Sequence, residues 1–259
     1  MRSLELITDL LAMTGATEIE AHSDRIIQRT PDEPDFWFGN RLIFPNPPED
    51  AAAAIAQFRA DLPEVRHICI AWDIPNLPLG PVQALFEGSG LTVDQGDVLT
   101  LKGDLHRAPV PEGIVLRAFE PKDWAQSHDI GRGIARDEGM TLDGHRAYLE
   151  GRATARRWQI EAGFAQWFGA FYGELLVGDM GIVQSREHIR YQVVQTRKSH
   201  RGRGIASALL GFALDWARAR APEALPVIVA DAGSDAGRLY RRAGFAPTET
   251  TVVAWRAGK

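Results

Sequence analysis

The stretch "IRYQVVQTRKSHRGRGIASALLGFALDW" (residues 189–216) constrains the fold most, because it joins a predicted strand to a helix through a basic, glycine-containing turn. The helix is predicted from Ile205, Leu209, Phe212 and Trp216, whose spacing forms one apolar stripe. A helix N-terminus carries unpaired amide N–H groups and a partial positive charge. Glycines let those amides curl around a phosphate without obstruction by a Cβ. The stretch therefore predicts a strand–turn–helix unit suited to a phosphate-bearing ligand.

This turn differs from two common phosphate-binding motifs. It is not a P-loop, because no Lys-Ser/Thr pair follows the second glycine. It also lacks the three-glycine dinucleotide fingerprint and the acidic residue expected about 20 residues further on. A basic turn of this kind is often only a solvated surface feature, so its context has to decide.

The context is an element order of β-α-α-β-β-β-α-β-α-β after the turn-rich segment "HRAPVPEG". Helices are predicted over 122–136 and 142–160, and a hairpin turns at "GE" within "QWFGAFYGELLVGDMGIV". The stretch "LPVIVAD" predicts a buried strand. The next helix, "SDAGRLYRRAGF", has Ser234 or Asp235 as its cap and Gly244 at its end. A strand in "TETTVVAWR" closes the chain.

The first half repeats the end of this order, with predicted strands in "FWFGNRLIF", "RHICIAWD" and "VLTLK" separated by helices in "PEDAAAAIAQFRADL" and "PVQALFEGSG". Residues 85–102 align without a gap against residues 239–256, which pairs Phe86 with Tyr240 and Gly90 with Gly244. We interpret this as a duplicated unit. In the first copy "PNPPED" replaces the basic turn; its prolines lack N–H groups and its acidic residues repel phosphate.

The joint pattern resembles the GNAT acyltransferase superfamily over roughly residues 113–259. Arg201, Gly204 and Ala206 match the family's Q/R-x-x-G-x-G/A loop, and Tyr240 precedes the Gly-Phe pair typical of its later helix. The chain departs from the family at Gly233, where Asn is frequent, and at Lys198, where Pro is frequent. The resemblance implies an α/β (α+β) fold in which helices flank a mixed central sheet, as two tandem units: a degenerate GNAT-like domain at 1–108 and an acetyltransferase domain at 113–259.

The resemblance also implies acetyl-CoA or another acyl-CoA as co-substrate, without a metal. The residues expected to bind it are the end of one strand and the loop after it: Val194, Gln195, Thr196, Arg201, Gly202, Arg203, Gly204, Ile205 and Ala206. A backbone N–H from Val194 to Thr196 is expected to polarise the thioester carbonyl.

Acyl transfer needs a proton for the departing thiolate, and a Tyr hydroxyl within reach of the sulfur can donate it. Tyr240 is the candidate general acid, although a helix Tyr can equally pack its ring in the core with the hydroxyl at the surface. The base is less readable: Glu187 is the candidate, with His188 beside it, and both are ordinary residues of a surface turn.

Composition excludes several classes of function. The only cysteine, Cys69, lies in an apolar run and predicts a core thiol, and no histidine has zinc-ligand spacing. The net charge of -5 argues against a nucleic-acid partner, although residues 109–259 carry 21 Lys/Arg against 17 Asp/Glu. No apolar run is long enough to span a membrane, and "MRSLELITDLLAMTG" has the spacing of an amphipathic helix rather than a signal peptide.

The sequence therefore predicts a cytoplasmic acyl-CoA-dependent N-acyltransferase that transfers acetyl to the primary amine of a small molecule or a peptide. The alternative left open is a non-catalytic acyl-CoA-binding or sensing module. A more distant alternative is a nucleic-acid-binding protein that uses the basic turn. A homodimer is left open too.

Overall fold

The structure is a computed structural model that describes residues 1–137, 139 and 145–258. The chain divides into two compact units that interleave along the sequence. The first unit combines Met1–Leu99, Val229–Gly237 and Pro247–Lys259. The second combines Thr100–Ile228 and Arg238–Ala246. The domain boundaries expected from the sequence, 1–108 and 113–259, stay a prediction; the C-terminal strand belongs to the first compact unit.

The first unit is a mixed sheet with helices packed on it. Its elements are α1 (Leu4–Ala12), β1 (Glu18–Ala21), β2 (Ile26–Arg29), β3 (Arg41–Phe44), α2 (Ala51–Asp61), β4 (Ile68–Trp72), α3 (Leu79–Leu85), β5 (Thr92–Thr100) and β11 (Ala246–Arg256). The strand order is β1-β2-β3-β4-β11-β5. β3 and β4 run parallel, whereas β1–β2, β2–β3 and β4–β11 are antiparallel pairs.

The second unit is also a mixed sheet. Its elements are β6 (Ile114–Ala118), α4 (Asp123–Asp137), α5 (His145–Glu161), β7 (Ala165–Tyr172), β8 (Leu175–Gln184), β9 (His188–Thr196), α6 (Ile205–Arg218), β10 (Leu225–Asp231) and α7 (Asp235–Arg242). The strand order is β10-β9-β8-β7-β6, with β9 parallel to β10 and the other neighbours antiparallel. The predicted fold class, a mixed α/β architecture with helices flanking a sheet, is confirmed.

Most of the predicted elements form. The hairpin turns at Gly173, whose φ of 58° is in the left-handed region that such turns require. α4 and the described part of α5 match the predicted helices, while residues 142–144 of the second prediction lie outside the described residues. Cys69 is fully buried, and burial raises the pKa of its thiol to about 12, as expected of a core thiol.

Two local predictions were wrong. The predicted strand "FWFGNRLIF" is a short 3-10 helix at Trp37–Gly39 followed by β3, because the Asn40 amide donates to the carbonyls of Glu33 and Phe36 and holds a turn there. The predicted stripe of α6 includes Phe212, which is 38% exposed. The buried face of α6 instead uses small residues and leucines: Ile205, Ala208, Leu209, Leu210, Ala213, Leu214 and Ala217.

The sequence repeat has a structural counterpart. β5 begins at Thr92 and β11 begins at Ala246, which are equivalent positions in the ungapped alignment. Gly90 and Gly244, two residues earlier in each copy, both have positive φ, at 76° and 103°. The parallel pair β3–β4 encloses α2 in the chain, as the parallel pair β9–β10 encloses α6. These equivalences support two copies of one supersecondary unit.

A fragment of residues 110–259 is expected to aggregate or to lose cooperative unfolding. In the intact chain Val253 to Arg256 of β11 pair with Ala71 to Ile68 of β4, and Val252 and Ala254 pack in the core of the first unit. Without β4 the edge of β11 and these apolar side chains are left for intermolecular pairing. Size-exclusion chromatography and thermal unfolding, with the full chain alongside, test this; a monomeric fragment with one sharp transition would contradict it.

Candidate functional site

The turn after β9 leaves the first amides of α6 without an intramolecular acceptor. Gly204 is the N-cap residue and has no side chain, and no other side chain caps the helix. Gly202 and Gly204 have φ of 75° and 80°, a conformation that favours glycine. A Cβ at either position would meet nothing within 4 Å. The amides of residues 202–206 are therefore accessible, and they form a cradle that fits a phosphate group.

The basic side chains of the turn fall into two sets. Arg197 anchors the turn to β8, since its amide donates to the Val177 carbonyl at 2.8 Å and its Nε to the Leu176 carbonyl at 3.1 Å. Lys198 pairs with Asp137 at 3.0 Å.

Arg201 and Arg203 are exposed. The Nε of Arg201 donates to the Thr196 carbonyl at 3.2 Å, which holds the side chain over the end of β9. Within the described ranges, Arg203 has no acceptor. These two guanidinium groups are the positive charges available to an anion at the cradle.

Strand β9 contains a β-bulge just before the turn. Gly181 pairs with Gln192 and Asp179 with Gln195, so two residues of β9, Val193 and Val194, lie opposite one residue of β8. Val193 has a φ of 48°, which is unusual for a β-branched residue and costs roughly 1–3 kcal/mol. Such strain persists only where the surrounding structure holds it, and it occurs most often at functional sites.

Beyond the bulge, one edge of β9 is open. The described ladder between β9 and β10 covers three residue pairs and ends at Arg190. Since the Arg197 amide points to β8, strand alternation turns the peptide groups of Val194 and Thr196 toward the opposite edge. Backbone N–H and C=O groups are therefore offered there to an extended ligand or to a developing oxyanion.

Tyr240 lies on α7 with its side chain 5% exposed. Its ring packs edge-on against Phe245 at 6.5 Å, and Phe245 packs against Tyr191 of β9 at 5.7 Å. The Tyr240 hydroxyl has no hydrogen-bond partner in the part of the chain that the structure describes. Burial raises the pKa of Tyr240 to about 12, and the charge of Arg190 on β9 acts against that shift. Tyr240 is thus a neutral hydroxyl with a free donor near β9.

Glu187 is not among the residues that the structure brings together. It is exposed in the turn before β9, with its amide on the Ser185 hydroxyl and its carbonyl accepting from Leu225. Val194 lies seven residues along the strand, which is roughly 20 Å or more at the rise of an extended chain. His188 shares that end of β9. This position gives no support to Glu187 as the base, which stays a prediction from the sequence.

A buried polar cluster next to the bulge escaped the sequence analysis. Asp179 of β8 is fully buried and accepts from Gln195 Nε2 at 2.8 Å, Ser127 Oγ at 3.2 Å and Trp167 Nε1 at 3.3 Å. Burial raises the pKa of Asp179 to about 7, although all three hydrogen bonds and the charge of Arg156 act to lower it. The signal in the sequence was a lone carboxylate inside the apolar strand "LLVGDMGIV".

Three of four large aromatic residues in the second unit are buried, and the fourth is partly exposed. Trp124, Trp167 and Phe168 are buried, and Trp124 packs on Trp167 at 5.6 Å. Trp158 is 48% exposed and packs edge-on against Phe164. The first three therefore serve the core of the second unit.

The first unit has no cradle at the equivalent position. Asp50 caps α2, and its carboxylate accepts from the amides of Ala52 at 2.8 Å and Ala53 at 3.1 Å. The amides that are free in α6 are thus satisfied in α2, and beside a negative charge. The counterpart of Tyr240 is Phe86, which is buried against Trp72 and carries no hydroxyl.

In the described ranges, no group of three or more acidic, histidine or cysteine side chains is arranged to hold a metal ion. Among the described helices, none is both long enough and apolar enough to cross a membrane.

The strand with an open edge, the glycine turn and the uncapped helix are the features on which the resemblance to GNAT acyltransferases rests. Residues 134–245 match the family model described as "Acetyltransferase (GNAT) family". This part of the chain is thus similar to GNAT acetyltransferase domains. The sequence matches none of the curated proteins with which it was compared.

Solved structures show the same fold along nearly the whole chain. A functionally unknown conserved protein from Staphylococcus epidermidis has a TM-score of 0.68 at 13% identity, covering 95% of each chain. A GCN5-related N-acetyltransferase from Kribbella flavida has a TM-score of 0.61 at 16% identity, covering 97% of this chain and 93% of that one. A tandem GNAT protein from the clavulanic acid biosynthesis pathway has a TM-score of 0.60 at 15% identity, covering 95% and 85%. The resemblance to GNAT proteins, tandem ones included, is confirmed at the level of the fold.

Proposed function

We propose that the protein is an N-acyltransferase that transfers acetyl from acetyl-CoA to the primary amine of a small molecule or a peptide. The observation that carries the proposal is the uncapped N-terminus of α6, which follows two left-handed glycines and a bulged strand with an open edge. The family and the fold support an acetyltransferase in general. A cytoplasmic location and the absence of a nucleic-acid partner stay predictions from composition.

The residues present fit acetyl-CoA. The amides of Gly202 to Ala206 would hold the pyrophosphate, with Arg201 and Arg203 adding charge. The open edge of β9 at Val194 and Thr196 would bind the extended pantetheine arm, whose amides need partners of this kind. When bound, acetyl-CoA supplies an acyl thioester as electrophile.

The chain's own groups would then stabilise charge and move one proton. The N–H of Val194 would polarise the carbonyl as negative charge develops on its oxygen. The attacking nitrogen carries an excess proton and the departing sulfur needs one. A phenol with a pKa of about 12 does not fully protonate a thiolate whose conjugate acid has a pKa of about 8.5. Tyr240 is therefore expected to donate a hydrogen bond to the sulfur. Its proton passes to the sulfur only as the excess proton of the attacking nitrogen replaces it on the Tyr240 oxygen.

The direct test is mass spectrometry of the purified protein for bound CoA, followed by a panel of amines with detection of free thiol. An N-acyltransferase releases CoA at a rate that depends on the amine. A sensing module binds acetyl-CoA without turnover across the panel. A protein that does not bind acetyl-CoA at all would contradict both the N-acyltransferase and the sensing module.

Acetyl-CoA is expected to bind with one site per chain. Asp50 already occupies the amides of α2, and Phe86 replaces the tyrosine, so the first unit offers neither cradle nor donor. Isothermal titration calorimetry measures the stoichiometry, with a protein concentration fixed by absorbance. Two equivalent sites per chain would refute the assignment of the first unit as a degenerate copy.

A further inference from the structure

The buried cluster around Asp179 connects three elements at the bulge. Gln195 Nε2 donates to Asp179 on β8 and also to the carbonyl and the hydroxyl of Ser127 on α4, at 3.3 and 3.2 Å. Trp167 on β7 donates to the same carboxyl. α4 approaches β9 closely here, because a Cβ on Gly131 would lie 3.8 Å from Gln195 Oε1. One side chain of β9 thus ties the strand to a helix and to a carboxylate.

The hydrogen bonds of Gln195 to Asp179 and Ser127 lie next to the peptide groups that the reaction needs to hold in place. Gln195 stands between Val194 and Thr196, whose peptide groups face the open edge of β9. The strand has no ladder partner on that edge within the described residues, and Val193 before it has strained backbone. The side-chain bonds of Gln195 are therefore a main restraint on where the two peptide groups point. An error of about 1 Å in such a group costs a large share of its effect on a transition state.

We propose that the Asp179 carboxylate is the positioning residue that ties the bulged end of β9 to α4 through Gln195 and Ser127, and thereby fixes the strand edge that receives the thioester. This rests on the proposed function of the same site. It assigns no contact between Asp179 and substrate.

The charge state of Asp179 decides whether the tie holds. Three groups donate hydrogen bonds to the Asp179 carboxylate. Protonation would give Asp179 an O–H group of its own, which needs an acceptor among these three donors. Of the three donor atoms only the Ser127 oxygen can also accept, so its hydroxyl has to turn and the contact to α4 changes. The charged group that acts on Asp179 from α5 is Arg156, whereas α4, β7 and β9 contribute the neutral Ser127, Trp167 and Gln195.

The burial that raises the pKa of Asp179 to about 7 also sets the sign of the pH dependence. A carboxyl whose pKa is higher in the folded than in the unfolded state stabilises the fold most at low pH. That stability is lost as pH rises through the folded pKa. Ionised Asp179 therefore works against stability above pH 7, whereas its hydrogen bonds to Gln195 and Ser127 hold the bulged end of β9.

The first measurement is a pH titration of the Trp167 indole N–H by 15N NMR, with the resonance assigned among the seven tryptophans by Trp167→Phe. The indole donates to Asp179, so its resonance is expected to shift with a midpoint near pH 7. In Asp179→Asn that transition is expected to disappear. A wild-type indole that shows no transition between pH 5 and 9 contradicts the pH dependence expected of the site, and the affinity of Asp179→Asn then decides the positioning role.

The second measurement is the dissociation constant of acetyl-CoA at pH 6 and pH 8. Wild type is expected to bind about tenfold more weakly at pH 6, the effect of losing one hydrogen bond to a charged group. Asp179→Asn is expected to bind weakly at both. The phosphates of acetyl-CoA titrate in the same way with wild type and with Asp179→Asn. The difference between the two proteins in the pH dependence of the dissociation constant therefore measures the effect of Asp179. Asp129→Asn on the outer face of α4, where the carboxylate pairs with Arg132, is the matched control and should follow wild type.

Two further variants keep the test decisive if Asp179→Asn folds poorly. Ser127→Ala removes one donor and should weaken binding in the same direction by about threefold. The exchange Asp179→Asn with Gln195→Glu restores an amide–carboxylate pair and should recover part of the affinity, which a purely structural defect would not. Equal pH profiles in wild type and the variants overturn the positioning role but leave the proposed function intact. A wild type that binds no acetyl-CoA at either pH overturns both.

Discussion

Tyr240→Phe is expected to lower turnover by 10- to 1000-fold while changing the dissociation constant of acetyl-CoA by no more than about threefold. The substitution keeps the ring that packs on Phe245 and removes only the hydroxyl, which is bonded to nothing in the described residues. The raised pKa keeps Tyr240 neutral across the working range but makes it a weak acid. The loss should therefore lie at the lower end for acceptors whose own proton can reach the sulfur through water.

Tyr191→Phe is the matched control. Tyr191 is equally buried in the same unit, and its pKa is likewise raised by burial, but its hydroxyl donates to the Leu210 carbonyl at 3.2 Å. Removing it should cost about 1 kcal/mol of stability and leave turnover per folded molecule unchanged. Steady-state release of free thiol, with the folded fraction measured by circular dichroism, compares the two. If Tyr240→Phe keeps full turnover, the thiolate is protonated from elsewhere.

The order of elements in the second unit could be predicted because its signals are local. The hairpin at Gly173, the helix after Gly204 and the end of a helix at Gly244 each follow from one residue whose backbone conformation is unusual. The two short strands β1 and β2 were missed, since "EIEA" is fully exposed and neither segment alternates clearly. The partner of β11 could not be predicted either, because its pairing with β4 spans about 180 residues of chain.

Part of the candidate site could likewise be predicted from the sequence, and part of it could not. The cradle at 202–206 and Tyr240 were accessible to sequence reasoning because each rests on a motif at fixed spacing. The bulge at Val193 and the open edge beside Val194 were not, because nothing in "YQVVQT" shows that two residues face one across the sheet. Glu187 is predicted for its carboxylate next to β9, and strand direction places it at the end of β9 that is farther from the bulge. Asp179 was overlooked although a buried charge in an apolar strand is itself a signal.

Gly204→Val is expected to weaken acetyl-CoA binding by about 100-fold or more, because several hydrogen bonds to the charged pyrophosphate are lost. Gly204 has a φ of 80°, and a β-branched residue there must either bear strain of roughly 1–3 kcal/mol or move to negative φ. Movement would turn the amides of Ile205 and Ala206 away from the cradle. If the backbone holds, the side chain fills the open space beside these amides, where a Cβ meets nothing within 4 Å.

The effect on binding can be separated from the strain by Gly163→Val. Gly163 lies in the same unit after α5, with a φ of 85° and open space around its Cβ, but away from the cradle. Both variants should lower the free energy of unfolding by a similar amount in urea, and only Gly204→Val should lose affinity in calorimetric titration. A folded Gly204→Val that binds acetyl-CoA as wild type does would remove the pyrophosphate from this turn. Equal losses of affinity in both variants would instead show that the titration reports stability, and that the amides at 202–206 have no special part in it.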